Sequence, residues 1–143
     1  MSDVHYYKTV VKWEKDRIGI LSAPELESFR VATPPEFPKG VPGIWSPEHL
    51  FVSSVNVCYM TTFLAIAENS KLNFDSFECE AVGKLEKVDG KFMISEIELY
   101  PKLKISNEDQ KERAERILQK SEEYCLISNS IKTKVSLKPE IVV

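Results

Sequence analysis

The sequence predicts a single α+β domain over residues 1–143. Three observations carry that expectation. Short aromatic and β-branched runs open the chain, a long apolar stretch follows a proline-rich loop, and an amphipathic stretch lies between further extended runs. Together they give the order β-β-β-α-β-β-α-β, a mixed arrangement rather than a regular alternation of strand and helix.

The first third reads as strands. "HYYKTVVKWE", from His5 to Glu14, is β-branched and aromatic with partial alternation. "DRIGILSA" follows, with Gly19 expected at a turn or bend, and "ESFRVATPP" is a third extended run that ends at Pro34-Pro35. The segment from Thr33 to Pro47 is too rich in Pro and Gly for helix or central strand. Its apolar Phe37, Val41, Ile44 and Trp45 mark it as an ordered loop.

Ser46-Pro47-Glu48 reads as a helix start. Ser46 can accept a backbone N–H as N-cap, Pro47 lacks only a donor that would be unpaired anyway, and Glu48 suits the positive end of the helix dipole. From Leu50 to Ala67 apolar residues fall on all sides, which predicts a central helix buried all round. "FDSFECEAVGKLEKV" alternates, with Phe77, Cys79, Ala81, Gly83 and Leu85 on one face. Asp89-Gly90 signals a hairpin, and "KFMISEIELYPKLKI" is the returning strand, with an irregularity expected at Pro101. "SNEDQKERAERILQKSEEYC" is an amphipathic helix with capping-box-like spacing of Ser106 and Asp109. Ala114, Ile117, Leu118 and Ser121 can face inward. A turn, "CLISNSI", and a last strand, "KTKVSLKPEIVV", complete the chain.

Composition narrows the function classes. The chain is 43% hydrophobic and 29% charged, with a net charge of −3 and scattered Lys and Arg, which argues against nucleic acid as a partner. Asn56, Thr61 and Thr62 interrupt the most apolar stretch, so no membrane span is expected. Two histidines and no Cys-x-x-Cys pair argue against zinc, and no cofactor is expected. The start "MSDVHYYKTV" lacks the basic flank and apolar run of a signal peptide, which suggests a reducing, cytoplasmic setting. There, a disulfide would be catalytic or sensing rather than structural.

The three cysteines are Cys58, Cys79 and Cys125. Cys79, on the inward face of an alternating strand, reads as a small core hydrophobe. Cys58 sits in the central helix, where core and catalytic roles both remain open. Cys125 ends a polar helix, an unusual place for a packing residue. A redox pair needs an attacking thiolate and a resolving thiol, neighbours in the fold rather than in sequence. It also calls for a cation near the attacker and an acid that orients the cation. Arg17, Arg30 and Glu48 are the candidates.

"SPEHLFVSSVNVCYMTTF" and "EEYCLISNSI" resemble the two cysteine motifs of the OsmC/Ohr family, the osmotically inducible and organic hydroperoxide resistance proteins. The element order agrees with that family, and the likeness covers most of the chain. It implies mixed sheets around the central helix, in an intertwined homodimer with active sites at the interface. It also implies a thiol peroxidase that reduces organic hydroperoxides, and hydrogen peroxide as a further substrate, in oxidative stress defence. Cys58 matches the attacking cysteine, Cys125 the resolving one and Glu48 the acid that holds a catalytic arginine. Arg17, in "KDRIG", fits that arginine better than Arg30. A dithiol would reduce the enzyme again, a lipoylated protein in some members. The second motif departs from the family's His-x-x-Cys-Pro: Glu122 stands for the His and Leu126 for the Pro. The charges of Glu122 and Glu123 are expected to disfavour a Cys125 thiolate.

Glu48 and Cys58 are ten residues apart, about 15 Å along a straight helix. Either the helix bends between them or Glu48 serves the other subunit's site. Phe37, Trp45, Phe51 and Tyr59 are candidates to line a peroxide pocket, with core packing as the other role. The alternative to a peroxidase is a noncatalytic OsmC-like protein that binds a small molecule or senses redox state.

Overall fold

A computed structural model describes residues 3–143. The chain divides into two compact units, one up to Leu50 and one from Phe51 onward. The first unit holds a three-stranded antiparallel sheet of β1 (Val10–Lys15), β2 (Ile18–Ala23) and β3 (Leu26–Ala32). Asp16, at φ 50°, and Arg17 make the first turn, while Pro24 and Glu25, at φ 67°, make the second. Gly19 is therefore not the bend the sequence suggested. It lies in β2 opposite Trp13, where a Cβ would stand 3.0 Å from the Lys12 carbonyl oxygen. The strand expected from His5 begins only at Val10.

The proline-rich loop is ordered by its ends. Ala32 N–H donates to the Trp45 carbonyl at 2.9 Å, and Val41 N–H to that of Thr33 at 2.9 Å. Then α1 (Pro47–Asn69) starts as expected, with His49 N–H donating to Ser46 Oγ at 3.1 Å. A reciprocal bond runs from Ser46 N–H to His49 Nδ1 at 3.2 Å, so His49 takes the place usually held by Glu or Gln in a capping box. Such a cap stabilises a helix by about 1 kcal/mol.

In the second unit, β4 (Ser76–Val88) and β5 (Lys91–Lys104) form a long hairpin. Asp89 at φ 52° and Gly90 at φ 79° make the predicted turn. The ladder runs through Pro101, and the irregularity falls instead between Lys84 and Leu85, which leaves Ser95 as the extra residue. Alternation in β4 holds through Ala81 and is lost toward this bulge. α2 (Lys111–Glu123) buries Ala114, Ile117, Leu118 and Ser121, as its spacing predicts. Ser106 is not its cap: the Ser106 hydroxyl donates to the Asp75 carboxylate, and Asn107 Oδ1 accepts from Asp109 N–H at the head of a short 3-10 turn. The last strand is split at Pro139 into β6 (Lys134–Leu137) and β7 (Glu140–Val142), both parallel to β5. This gives a four-stranded mixed sheet.

The core of the second unit joins α1, α2 and that sheet. Val55, Tyr59, Phe63 and Ala67, one per turn of α1, are fully buried with Ile97, Leu99, Leu103, Ile105 and Leu118. Phe63 stacks on Phe77 with centroids 4.8 Å apart and meets Phe74 edge-on at 5.3 Å. α1 is long and apolar enough to cross a membrane by length and composition, yet this stripe is the centre of a hydrophobic core. The helix is not buried all round, as the sequence suggested. Val57, Met60 and Leu64 form an exposed apolar stripe on its opposite side. Apolar residues on every face report only that each face avoids water, not that this chain covers them all.

Gly83 shows how tightly α1 lies on the sheet, because a Cβ there would stand 2.5 Å from Val52 Cγ2. Gly83→Ala is expected to lower stability by about 1–3 kcal/mol through overpacking. Urea denaturation should show the midpoint fall at unchanged slope, and adding Val52→Ala should recover part of the loss.

Candidate active site

Two elements bring Cys58 and Cys125 together. Cys58 is buried on α1, one residue before the core residue Tyr59. Tyr59 donates its phenolic hydrogen to the Leu118 carbonyl of α2 at 2.9 Å, which sets the level of one helix against the other. Beyond α2 the backbone keeps turning. Cys125 N–H donates to the Glu122 carbonyl at 3.2 Å, Asn129 N–H to that of Cys125 at 3.1 Å, and Ser130 N–H to that of Ile127 at 2.9 Å. Cys125 is fully buried inside this winding, and all three cysteines are free thiols.

The winding aims hydrogen-bond donors at Cys58. Burial pushes the Cys58 thiol up, but the Ile127 N–H, the Cys125 thiol, the Thr62 hydroxyl and the Leu126 N–H together outweigh it and hold its pKa below the ordinary value. Thr62 Oγ1, one turn along α1, is 3.9 Å from Cys58 Sγ. Cys125 moves the other way. Burial pushes its pKa up, the Ser128 hydroxyl and N–H offset that in part, and the neighbouring Cys58 raises it further. The pair is thus polarised: Cys58 is the more readily ionised of the two, and Cys125 the one that holds its proton. Glu122 and Glu123, whose charges the sequence suggested as the reason for a protonated Cys125, are not the main cause; burial is.

Cys79 stands apart chemically. It is half-buried on β4, its thiol turned toward the Glu80 carbonyl at 3.7 Å, and burial pushes its pKa up to about 11. That is an inert core thiol.

The other predicted site residues belong to the first unit. Arg17 sits in the turn between β1 and β2, where its carbonyl accepts from Thr33 N–H at 3.3 Å. It lines a cavity of about 500 Å³ together with Trp13, Ile18, Leu21, Thr33 and Leu50. Arg30 is engaged elsewhere, 3.1 Å from a Glu14 carboxylate oxygen across the sheet, whereas Arg17 makes no ion pair among the described residues. Glu48 is half-buried in the first turn of α1. That helix is one continuous element from Pro47 to Asn69.

The aromatic residues suggested as pocket lining do not line this cavity. Tyr59 is core, Phe51 packs against the core, and Trp45 stands edge-on to His49. The residues that sequence reasoning missed are Thr62, Ser128 and the amides of Leu126 and Ile127. Thr62 lies four positions after Cys58, and Ser128 three after Cys125, so helical spacing was the available signal for both. Backbone amides leave no signal in residue type.

A family model described as OsmC-like protein matches residues 40–140, more than half of the chain. The uncharacterized protein YmaD of Bacillus subtilis (strain 168) is 26% identical over 146 aligned positions, which cover 98% of this chain and 95% of that protein. An OsmC-like protein of unknown function from Vibrio cholerae superposes with a TM-score of 0.87 at 23% identity, over 95% of this chain and 99% of that one. An organic hydroperoxide resistance protein from Elizabethkingia anophelis does so with a TM-score of 0.79 at 18% identity, over 99% of both chains. These solved structures share the α+β fold.

Alkylation reads the polarised pair directly, since only the thiolate reacts. With iodoacetamide, Cys58 is expected to reach half-maximal rate at a lower pH than Cys125 or Cys79. Leu126→Pro removes one N–H aimed at Cys58, so it should move that midpoint upward, while Leu126→Ala should leave it in place. Peptide mass spectrometry across a pH series measures both.

Proposed function

We propose, from the premise that this chain belongs to the OsmC-like family, that it is a thiol peroxidase that reduces organic hydroperoxides in oxidative stress defence. The observation that carries this reading is the polarised pair, a Cys58 whose pKa is lowered in part by Cys125, the thiol assigned to resolve it. The Cys58 thiolate attacks the terminal oxygen of the hydroperoxide. The O–O bond breaks, the alkoxide leaves and takes a proton from solvent to become the alcohol, and Cys58 becomes a sulfenic acid. Cys125 then displaces water from that sulfur to form the Cys58–Cys125 disulfide. An external dithiol, of which a lipoylated protein is one kind, restores both thiols.

The substrate class follows from the cavity at Arg17. Its walls are largely apolar and it offers one guanidinium with no ion pair among the described residues, which suits an alkyl or aryl hydroperoxide with a polar end. Glu48 is assigned to orient Arg17. Glu48 and Cys58 are ten residues apart in the sequence, and this reading joins the two functions in a homodimer, with Arg17 and Glu48 of one subunit serving Cys58 of the other. Uncovered apolar surface supports that assembly in each unit separately. Trp13 is 73% exposed, with Val11 and Leu26 also exposed on the first sheet, and Val57, Met60 and Leu64 are exposed on α1. The cytoplasm, where dithiol reductants keep thiols reduced, is the compartment this chemistry needs.

The test is consumption of cumene hydroperoxide with dithiothreitol, and separately with a lipoylated reductant. Wild type is expected to turn over and to accumulate the Cys58–Cys125 disulfide when reductant is withheld. Cys58→Ser should fall to background, and Cys125→Ser should stop as the Cys58 sulfenic acid after one equivalent. An unreactive Cys58 overturns the reading. Light scattering after size exclusion should give twice the chain mass of 16.3 kDa, and Trp13→Asp should reduce that mass toward one chain.

A further inference from the structure

The last turn of α2 and the winding that follows it each carry a buried polar atom whose role the peroxidase reading leaves unassigned. Glu122 Oε1 and Ser128 Oγ are shielded from water and meet no strict hydrogen-bond geometry among the described residues. Leaving such atoms unpaired away from water is costly, so their placement calls for a reason. Their positions are not accidental. Residues 122, 125 and 128 follow at intervals of three along hydrogen-bonded turns, through Cys125 N–H to the Glu122 carbonyl and Asn129 N–H to the Cys125 carbonyl. That spacing puts the three side chains on one side of the winding, with Cys125 between the carboxyl and the hydroxyl in sequence.

The Ser128 hydroxyl approaches both neighbours loosely, the Glu122 carboxyl and the Cys125 thiol. A hydroxyl has one proton and two lone pairs, so it can donate to one partner while it accepts from the other. That is the arrangement of a proton relay, and the second step of the reaction needs one. In the reduced protein the Cys125 thiol favours the ionised form of Cys58. Once Cys58 has been oxidised, that anion is gone. Cys125 must still lose its proton to attack, and burial opposes its ionisation.

We propose that Glu122 is the base that takes the Cys125 proton through Ser128 as the disulfide closes. The inference rests on the reading that Cys125 resolves Cys58. As Cys125 Sγ bonds to Cys58 Sγ, the thiol proton passes to Ser128 Oγ, and the hydroxyl's own proton passes to the Glu122 carboxylate. The hydroxide that leaves the Cys58 sulfenic acid then takes the proton from Glu122 and departs as water, so the relay ends as it began. Burial raises the Glu122 pKa, the Ser128 hydroxyl offsets this in part, and the charge of Glu123 adds to the rise. The titratable groups that act on Glu122 or feel its charge are Glu123 beside it and Tyr59 across on α1. A carboxyl with raised pKa is a stronger base when ionised, and as the relay's acceptor it makes closure speed up as pH rises through its ionisation.

Ellman's reagent tests closure without any peroxide. In a Cys79→Ser background the reagent loads Cys58 as a mixed disulfide with thionitrobenzoate. Cys125 then displaces the thionitrobenzoate, and the release is followed by its absorbance. That leaving group needs no proton, so the rate isolates deprotonation of Cys125. Glu122→Gln is expected to slow release roughly 100-fold and to abolish the limb of the pH profile assigned to the carboxyl. Ser128→Ala should do the same, the double variant no more than either alone, and Glu122→Asp should restore part of the rate. Loading of Cys58 should stay within about twofold in every variant, where ordinary surface changes fall. Wild-type release rate and pH profile in Glu122→Gln would overturn the relay. Equal slowing of loading and release would also overturn it, by marking Glu122 as a structural prop. Failure to consume cumene hydroperoxide with normal closure would count against the peroxidase reading alone.

Discussion

The Tyr59 hydroxyl bonded to the Leu118 carbonyl is the contact on which the site depends. It joins the helix that carries Cys58 to the helix that leads into the Cys125 winding, in a core that leaves little freedom to slide. Tyr59 is both fully buried and hydrogen-bonded, so a shift of α2 along α1 would strand a phenolic donor and a helix carbonyl away from water. Cys58 precedes Tyr59 by one residue, and the winding that holds Cys125 starts where α2 ends. Fixing the level of the helices therefore fixes the level of the thiols. Burial raises the Tyr59 pKa, so the phenol remains a donor throughout the range in which the thiols titrate.

From that placement the different acidities of the two cysteines follow without a charged side chain in the second unit. One winding serves both sulfurs but presents its N–H groups of residues 126 and 127 to Cys58. Cys125 is the more enclosed of the two and has mainly Ser128 to offset its burial. Amides at the end of a helix that point at an anion act as fixed partial charges and cost no ion to desolvate. In the proposed reaction the labour is then divided. Residues 51–143 set the nucleophile and its resolving partner, and the Arg17 cavity of residues up to 50 receives the peroxide.

Much of this was legible in the sequence because it depends on side-chain type at regular spacing. The β-β-β-α-β-β-α-β order, the Ser46 cap, the Asp89-Gly90 hairpin and the inward face of α2 all have local causes, and the structure agrees with each. The misses also have a common cause. Gly19 was read as a turn because glycine permits one, but the space beside Lys12 explains it instead. Ser106 has the right spacing for a cap, yet a more distant carboxylate, Asp75, takes its hydroxyl. The exposed side of α1 is apolar like the buried one, and periodicity alone cannot say which chain covers it. Cys58 and Cys125 could be paired only through a resemblance, since no local rule brings together residues so far apart in sequence.

The departures from the family's second motif gain a physical meaning in this geometry. At the sequence level, Leu126 in place of Pro and Glu122 in place of His read as losses. A proline at 126 would have no N–H, however, and here that N–H is one of the donors that lower the Cys58 pKa. Leu126 itself is largely exposed, so its side chain has little packing to do and the backbone donor is what the position supplies. A carboxyl at 122 differs from an imidazole in a related way. It accepts a proton only while charged, and half-burial makes that charge costly, which raises its affinity for the proton that Cys125 must give up. The two replacements act on opposite members of the pair. One lowers the barrier to forming the attacking thiolate, and the other, in the proposed relay, supplies the base for the resolving thiol. A substitution at 126 should therefore be felt in the first chemical step and one at 122 in the second, although only three residues separate them.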